Sequence, residues 1–445
     1  MSARTIKNRR RMLKIGAAAS VSGLLALGAT GSTAFASPTR VPHVSRSRAK
    51  SAPPVSLSWF FWVGSPTGVK TWTHNAALVP KSYPNIHVNL TTTSWTNYWQ
   101  KLPLEASTHS LPDLAGLQFG YIGSDGSFFR PLNALIKANH YNLKPFEATM
   151  IKELSVNGKL LALPYDFGPV VIAYNKALFK AKHVPFPKDG WTWAQFLADA
   201  KKLTGNGDYG WLPGQSPLEL NYDLSGVADA YIRNGNFNLT NPAFISGIQK
   251  WAALSYKYHV APTYSTAPNW ATTEFASGKV AMEPNGPWGL EPLKAQSNFP
   301  VGWVEFPAGP KGEHTYNEGS GFGITTSTKN PAAAFKALTV LVGNKALNYA
   351  ASVGRAFPAR RSADPTWVNY AKEGAGPVMY AALKTAKQME VTTNWSAFQT
   401  ALSKYTPLVL SGSISAAQFA KDVQAEAGQG RGVSPGNVAP LIAGS

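Results

Sequence analysis

Residues 55–62 read VSLSWFFW, and this stretch decides the fold class of the chain. Aromatic and β-branched residues dominate it and partly alternate with serine, which predicts a β-strand ended by the turn at residues 64–68. Residues 86–90 alternate in the same way and predict a second strand, with a helix-length segment between the two. The order strand, helix, strand favours a parallel layer, so we predict the α/β class.

Further strands and helices are predicted along the chain. Residues 114–118 predict a third strand, and the unbroken apolar run at 170–174 is typical of a strand buried on both faces. Thr192 and Gln195 form a capping box that begins a helix. Pro331 stands at the first position of another helix, where its missing N–H costs nothing.

Length and composition restrict the classes of protein. A chain of 445 residues with 44% hydrophobic content is too long for one ordinary core, so two or more lobes are expected. The chain has no cysteine, which excludes disulfides, thiolate zinc sites and a lipid anchor on cysteine. Its eight histidines are scattered and no cofactor or nucleophile motif stands in the right context, so we predict no metal, no cofactor and no catalytic residues.

The N-terminal residues 1–36 have the features of an export signal. Residues 8–14, NRRRMLK, fit the twin-arginine pattern, and the apolar segment at 15–27 is too short and weakly apolar for a stable membrane span. Ala34 and Ala36 supply the small residues of a cleavage site. We therefore predict an exported chain with a disordered linker at 37–54; the Gly-, Pro- and Ser-rich segment 428–445 is predicted to be an unstructured tail.

The formal net charge of +19 comes from 42 basic and only 23 acidic residues. The basic residues are dispersed along an exported chain, so an anionic cell surface is the expected electrostatic partner and nucleic acid is not. The scarcity of acids also suggests a hypothesis of an acidic habitat, because fewer native contacts then depend on ionised carboxylates.

Residues 275–289, FASGKVAMEPNGPWG, place a tryptophan among turn-forming residues. The first half predicts a helix end and a short strand, after which Asn285, Gly286 and Pro287 turn the chain. Trp288 then has two interpretations: an indole that fills the core, or a flat platform on which a ligand such as a sugar ring stacks.

Several stretches in a fixed order carry a resemblance to a known family. They are Leu111-Pro112-Asp113, Asn157-Gly158-Lys159, Leu163-Pro164-Tyr165, Ala173-Tyr174-Asn175-Lys176, Leu178-Phe179, Gly190-Trp191-Thr192-Trp193 with Phe196, residues 275–282 with Asn285-Gly286-Pro287-Trp288, and Gly354 with Phe357-Pro358-Ala359-Arg360. Together they resemble the extracellular solute-binding proteins of carbohydrate ABC importers, the maltose-binding-protein-like family 1.

The resemblance implies a two-lobed periplasmic-binding-protein fold of the class II type, with lobes joined by crossing hinge strands. Residues 55–166 and 323–373 would form lobe 1, and residues 167–322 and 374–427 would form lobe 2. The crossings would fall near 166–169, 319–322 and 374–377.

The resemblance also implies the function and the site. The chain would be a monomeric, non-enzymatic receptor, periplasmic or extracellular and without a lipid anchor, that captures a sugar or oligosaccharide and delivers it to the permease of an ABC importer by hinge closure. The implied ligand-binding residues are Ser65, Gln118, Tyr121, Tyr165, Asp166, Trp288, Gly319, Ser320, Arg360 and Trp395.

Two alternatives remain open at this point. One is a receptor for a phosphorylated polyol or another anion, which Arg360 would suit. The other is a secreted glycosidase. Ser65 and Pro66 stand where maltose-binding protein has an acid and a lysine, and Gly168 stands where it has a glutamate, so maltose itself is not the expected ligand.

Overall fold

The structure is a computed structural model that describes residues 53–443, apart from residues 215, 228, 313 and 371–373. The predicted export signal at 1–36 and the predicted linker up to residue 52 lie outside the described residues. Within the described part of the chain, no helix is long and apolar enough to cross a membrane.

The strands are β1 Val55–Trp62, β2 Ile86–Thr93, β3 Leu114–Gln118, β4 Ser155–Val156, β5 Lys159–Leu160, β6 Ala162–Pro169, β7 Val171–Asn175, β8 Ile232–Arg233, β9 Asn236–Phe237, β10 Met282–Asn285, β11 Val301–Val304, β12 Tyr316–Ile324 and β13 Lys387–Gln388.

The α-helices are α1 Pro66–Ala76, α2 Val79–Ser82, α3 Trp95–Ser107, α4 Ile122–Asp125, α5 Asn133–Ala138, α6 Ala148–Glu153, α7 Lys176–Ala181, α8 Trp193–Leu203, α9 Leu218–Ser225, α10 Pro242–Tyr256, α11 Trp270–Ala276, α12 Leu290–Gln296, α13 Pro331–Leu341, α14 Asn344–Ser352, α15 Asp364–Tyr370, α16 Ala375–Thr385, α17 Trp395–Leu410, α18 Ala416–Ala427 and α19 Ala439–Ala443. The predicted strands at 55–62 and 114–118 are confirmed, as are the helices that Thr192 and Pro331 begin.

The larger sheet has the strand order β13-β12-β3-β1-β2, and β6 pairs with β12 as well. β1 runs parallel to both β2 and β3, which confirms the parallel layer predicted from the strand-helix-strand order. β12 runs antiparallel to β3 and to β6.

Aromatic side chains cover both faces of β1. Trp59 and Phe61 point to one face, where Phe61 meets the ring of Trp72 on α1 edge-on at 5.4 Å. Phe60 and Trp62 point to the other face, which α3 covers. Because a strand alternates its side chains, the run WFFW buries large rings on both sides at once.

The smaller sheet has the order β10-β7-β11, with both pairs antiparallel. β7 is the apolar run of the sequence, and all five of its residues are buried. Val171 and Ala173 pack into two clusters on one face, whereas Ile172 and Tyr174 join the main core on the other face. This is the arrangement that the unbroken run predicts.

β6 and β12 connect the two sheets. β6 is followed at once by β7, and β12 is the first strand after β11, so each joins the larger sheet to the smaller one in the chain order. Their ladder shifts register between Ser320 and Gly321. The pair therefore occupies the position expected of crossing strands.

The glycines of β12 are explained by close packing. A Cβ on Gly319 would lie 2.1 Å from Met150, one on Gly321 would lie 2.7 Å from Leu154, and one on Gly323 would lie 2.4 Å from Phe129. None of the three has a positive φ. In this conformation, therefore, a side chain at any of the three positions would collide with the neighbouring layer.

The segment 428–443 differs from the prediction of an unstructured tail. Asn157 and Gly158 donate backbone hydrogen bonds to the carbonyls of Ser434 and Pro435 at 2.9 and 2.8 Å, and the segment ends in α19. Gly436 approaches so closely that a Cβ would lie 2.3 Å from the Gly158 nitrogen. The glycine at position 436 therefore allows the segment to contact the β4–β5 turn closely. Composition alone does not reveal that the segment has this partner for its backbone.

Candidate functional site

A cavity of about 330 Å³ opens where the parallel strands β1 and β3 end. Gly64 follows β1, and Gln118 is the last residue of β3, so both reach the cavity from the carboxyl ends of these strands. Open α/β sheets place their ligands at this edge. Residues of β6, β12 and β10 complete the lining.

An aromatic wall, made of Trp62, Trp95 and Tyr121, forms one side of the cavity. Trp62 and Trp95 meet edge-on at 5.0 Å, and Tyr121 lies flat on the ring of Trp99 at 3.5 Å. Gly116 on β3 makes room for this wall, because a Cβ there would lie 2.4 Å from the Trp62 ring. The wall is thus supported from behind by the packing of Trp99 and β3.

Trp288 lines the cavity from a short 3-10 turn, residues Pro287–Gly289, after β10. Asn285 braces the turn: its Nδ2 donates to Glu283 Oε1 at 2.8 Å, and its Oδ1 accepts from the Gly286 nitrogen at 2.8 Å. The indole folds over Gly286, where a Cβ would lie 2.4 Å from the ring. Among the described residues, no other aromatic ring packs on this partly exposed indole, so a face remains available.

Gly168 lets the turn approach β6. A Cβ at Gly168 would lie 2.3 Å from Cγ of Pro287, the residue before Trp288. A glutamate at this position would push the turn away, so the departure from the family pattern noted in the sequence has a steric reason.

Asp166 and Arg355 are two oppositely charged side chains in the lining. Asp166 lies on β6 opposite Ser320 on β12, is 6% exposed, and its Oδ1 accepts no hydrogen bond from the described residues. Arg355 is 5% exposed, and its Nη1 likewise has no hydrogen-bond partner within the described part of the chain. Both side chains line the cavity, and each has one buried polar atom without a hydrogen-bond partner among the described residues.

Burial raises the pKa of Asp166 to about 7, although the Arg355 charge and hydrogen bonding from Tyr165 and Ser320 oppose the rise. Two more carboxylates line the cavity. Burial also raises the pKa of Glu283, to about 8, and burial together with repulsion from Asp166 raises the pKa of Glu318. The lining thus contains three carboxyl groups whose ionisation burial disfavours.

Eight of the ten predicted ligand-binding residues line this cavity: Gln118, Tyr121, Tyr165, Asp166, Trp288, Gly319, Ser320 and Trp395. Tyr165 is mainly a core residue, because its ring stacks on Phe322 at 4.5 Å. Trp395 begins α17, is 3% exposed, and packs on Phe398 at 5.3 Å, so only its edge contributes to the lining.

Ser65 is not among the residues that line the cavity, so the structure does not bring it together with the other predicted ligand-binding residues. Its hydroxyl caps α1 by accepting from the Gly68 nitrogen at 2.9 Å and donates to Glu291 Oε2 at 2.7 Å. The Ser65 hydroxyl thus links the start of α1 to α12. The neighbouring Gly64 lines the cavity instead.

Arg360 is not among the lining residues either, so it too lies apart from the other predicted ligand-binding residues. Its guanidinium lies over the Phe146 ring at 4.5 Å, its Nε donates to the Val342 carbonyl at 3.2 Å and its Nη2 donates to the Tyr141 hydroxyl at 3.3 Å. These contacts direct the side chain into the packing between α5, α6 and α13.

The sequence reasoning missed Trp62, Trp95 and Arg355. The two tryptophans carried a usable signal, since Trp62 ends the first predicted strand and Trp95 closely follows the second. Arg355 carried none, because its approach to Asp166 joins the segment after α14 to β6 across nearly 190 positions of sequence. Within the described ranges, no group of three or more His, Cys, Asp or Glu side chains is arranged to hold a metal ion.

Comparisons with known proteins agree with this architecture. A family model described as bacterial extracellular solute-binding protein matches residues 79–377. The maltodextrin-binding protein of Bacillus subtilis is 23% identical over 279 residues, which cover 58% of this chain and 61% of that protein. A maltooligosaccharide ABC transporter solute-binding lipoprotein of Streptococcus pneumoniae is 25% identical over 296 residues, covering 62% of this chain and 67% of that protein. The aligned region therefore excludes more than a third of the Bacillus protein and about a third of the Streptococcus protein.

Among solved structures, an ABC substrate-binding protein of Listeria monocytogenes in complex with cycloalternan superposes with a TM-score of 0.76. It is 18% identical, and the superposition covers 84% of this chain and 98% of that one. This likeness shows the two-lobed α/β fold of periplasmic binding proteins. Because the family model matches well over half of the chain, this protein belongs to the bacterial extracellular solute-binding proteins.

Proposed function

We propose that this chain is an exported, non-enzymatic receptor that captures a sugar or oligosaccharide and delivers it to the permease of an ABC importer. The observation that carries the proposal is the free pair in the cavity, Asp166 Oδ1 and Arg355 Nη1. A buried acceptor and a buried donor left unpaired are costly, and a polyol supplies the missing partners. One hydroxyl of a vicinal pair donates to Asp166, and the other accepts from Arg355.

The aromatic residues of the lining support the same proposal. A sugar ring presents an apolar C–H face, and Trp288 offers a flat surface without a ring partner among the described residues. An aromatic contact of this kind contributes about 1 kcal/mol beyond simple burial. The aromatic wall offers further ring surfaces for additional sugar units, which favours an oligosaccharide.

Hinge closure forms part of the proposal. Lobe 1 would comprise residues 55–166 and 323–373, and lobe 2 residues 167–322 and 374–427, so that β6 and β12 bend as the lobes close. The names of the two relatives, a maltodextrin-binding protein and a maltooligosaccharide transporter lipoprotein, support a carbohydrate ligand and a permease partner.

The anionic-ligand alternative has less support from the lining. Arg355 is the one basic side chain that the described residues contribute to the lining, against the three acids Asp166, Glu283 and Glu318, so a phosphate finds little positive charge there. The glycosidase alternative would require Asp166 and Glu318 to act as a catalytic pair, with sustained release of shorter sugars from an oligosaccharide.

A thermal-shift screen of neutral mono- and oligosaccharides against polyol phosphates tests the proposal. A ligand present at 100 times its dissociation constant adds about 2.7 kcal/mol to the free energy of unfolding. We expect a shift with a saccharide, no shift with the phosphates, and one mole of sugar recovered intact per mole of protein. A shift only with phosphates, or steady product release, would overturn the proposal.

A further inference from the structure

Acidic and basic side chains are distributed unevenly between the interior and the surface. The described residues bury the side chains of seven acids, Asp125, Glu153, Asp166, Asp223, Glu283, Glu291 and Glu305, but of only one base, Arg355. The whole chain nevertheless has almost twice as many basic as acidic residues. In this strongly basic protein, the described residues therefore bury acidic side chains more often than basic ones.

Two of these seven buried acids, Asp166 and Glu283, line the cavity. Glu318 lines it as well, and Arg355 is the one basic side chain that the described residues contribute to the lining. Asp166 is 94% buried, and its Oδ1 is without a hydrogen-bond partner among the described residues. Buried carboxylates without a matching cation must either take up protons or meet a cation from outside.

The rings of the lining favour a cation as well. Trp62, Trp95, Tyr121 and Trp288 present π-systems to the same space. A cation over such a ring gains about 0.5–2 kcal/mol, most when it is removed from water. Carboxylates and aromatic faces together form a site for an organic ammonium group.

We propose that the natural ligand is an aminated saccharide whose protonated amine binds between Asp166 and Glu318 while its hydroxyls occupy the rest of the cavity. This inference rests on the proposed carbohydrate function and narrows the ligand class. Ser320 on β12 pairs with Asp166 on β6, and Glu318 lies two positions before Ser320, so both carboxyl groups are on the same face of the ladder and line the same cavity. A single ammonium group can therefore bind between them.

Binding would release protons. Burial raises the pKa values of Asp166 and Glu318 towards neutral pH, so each carboxyl group is partly protonated there. An ammonium group stabilises the ionised form, so the protons leave as the ligand enters. A neutral sugar has no such effect.

The test uses saccharides that differ only in charge. Glucosamine is compared with N-acetylglucosamine, the glucosamine trisaccharide with its fully N-acetylated form, and maltotriose serves as an unrelated neutral sugar, all by titration calorimetry near neutral pH. A charged hydrogen bond contributes about 1.5–3 kcal/mol, so we expect the amines to bind at least about tenfold more tightly than their acetylated partners. Titration in two buffers of different ionisation enthalpy should show proton release with the amines alone.

The outcomes separate this inference from the proposed function. If a neutral saccharide binds as tightly as its amine, or only maltotriose binds, the inference is overturned and the carbohydrate function stands. If no saccharide of either kind binds, both are overturned.

Charge-removing variants test the assigned position. Glu318→Gln and Asp166→Asn should each lower the ratio of amine to neutral affinity about tenfold. Asp125→Asn is the matched control, because Asp125 is equally buried but lies outside the cavity lining, with its Oδ1 accepting from Ser396 at 3.0 Å. A ratio unchanged by both cavity variants would place the amine elsewhere and overturn the assignment.

Discussion

At the scale of single residues, Trp288 combines a fixed turn with a free ring face. We expect Trp288→Ala to weaken saccharide binding about threefold to tenfold, because about 0.5–1.5 kcal/mol of stacking is lost. The dissociation constant from calorimetry is the measurement. Trp193→Ala is the control, since that tryptophan is also partly exposed but packs on Phe196 at 5.0 Å, outside the cavity lining. Equal weakening by both variants would contradict a specific role for Trp288.

Arg355 and Arg360 have different surroundings, since only Arg355 lines the cavity. Arg355→Met should weaken saccharide binding about tenfold to a hundredfold, because a charged donor to the ligand is lost. Arg360→Met should lower the melting temperature through its lost contacts with Phe146 and Val342, and leave the dissociation constant unchanged. The opposite pattern would restore the assignment of Arg360 to the ligand that the family resemblance implies.

At the scale of elements, Ser65 joins two helices. Ser65→Ala removes the cap of α1, which costs about 1 kcal/mol, and it also deprives the buried Glu291 carboxylate of a donor, which costs roughly another 1–3 kcal/mol. Ser94→Ala is the matched control: Ser94 caps α3 by accepting from the Asn97 nitrogen at 3.3 Å. We expect urea denaturation to show the larger loss for Ser65. Equal losses would mean that the contact with Glu291 adds nothing to stability.

At the scale of the whole molecule, the buried carboxyl groups determine how stability depends on pH. Burial raises the pKa of Asp166 to about 7 and the pKa values of Glu153 and Glu283 to about 8, whereas their unfolded values lie near 4. Between about pH 4 and pH 8 the native state therefore binds more protons than the unfolded state, and stability falls as the pH rises.

We accordingly expect the melting temperature to be higher at about pH 5 than at about pH 8. Glu153→Gln should flatten this dependence, because an amide carries no charge at either pH. A melting temperature that drops sharply towards about pH 4 would contradict both this prediction and the hypothesis of an acidic habitat.

Local patterns in the sequence determined the elements. The aromatic, partly alternating stretch VSLSWFFW specified a strand, the capping box specified the start of α8, and the apolar run specified β7 as a buried strand. The turn formers before Trp288 similarly specified a tight turn. All of these depend on neighbours a few positions apart, and periodicity and capping report such neighbours directly.

The tertiary structure decided which side chains meet across those elements. It placed Arg355 beside Asp166 and turned Arg360 away, used Ser65 to join α1 to α12, and paired the segment 428–443 with the β4–β5 turn. It also brought Asp166, Glu283 and Glu318 together at one cavity. These contacts join residues far apart in sequence, so they follow from how the strands and helices pack, which no local pattern encodes.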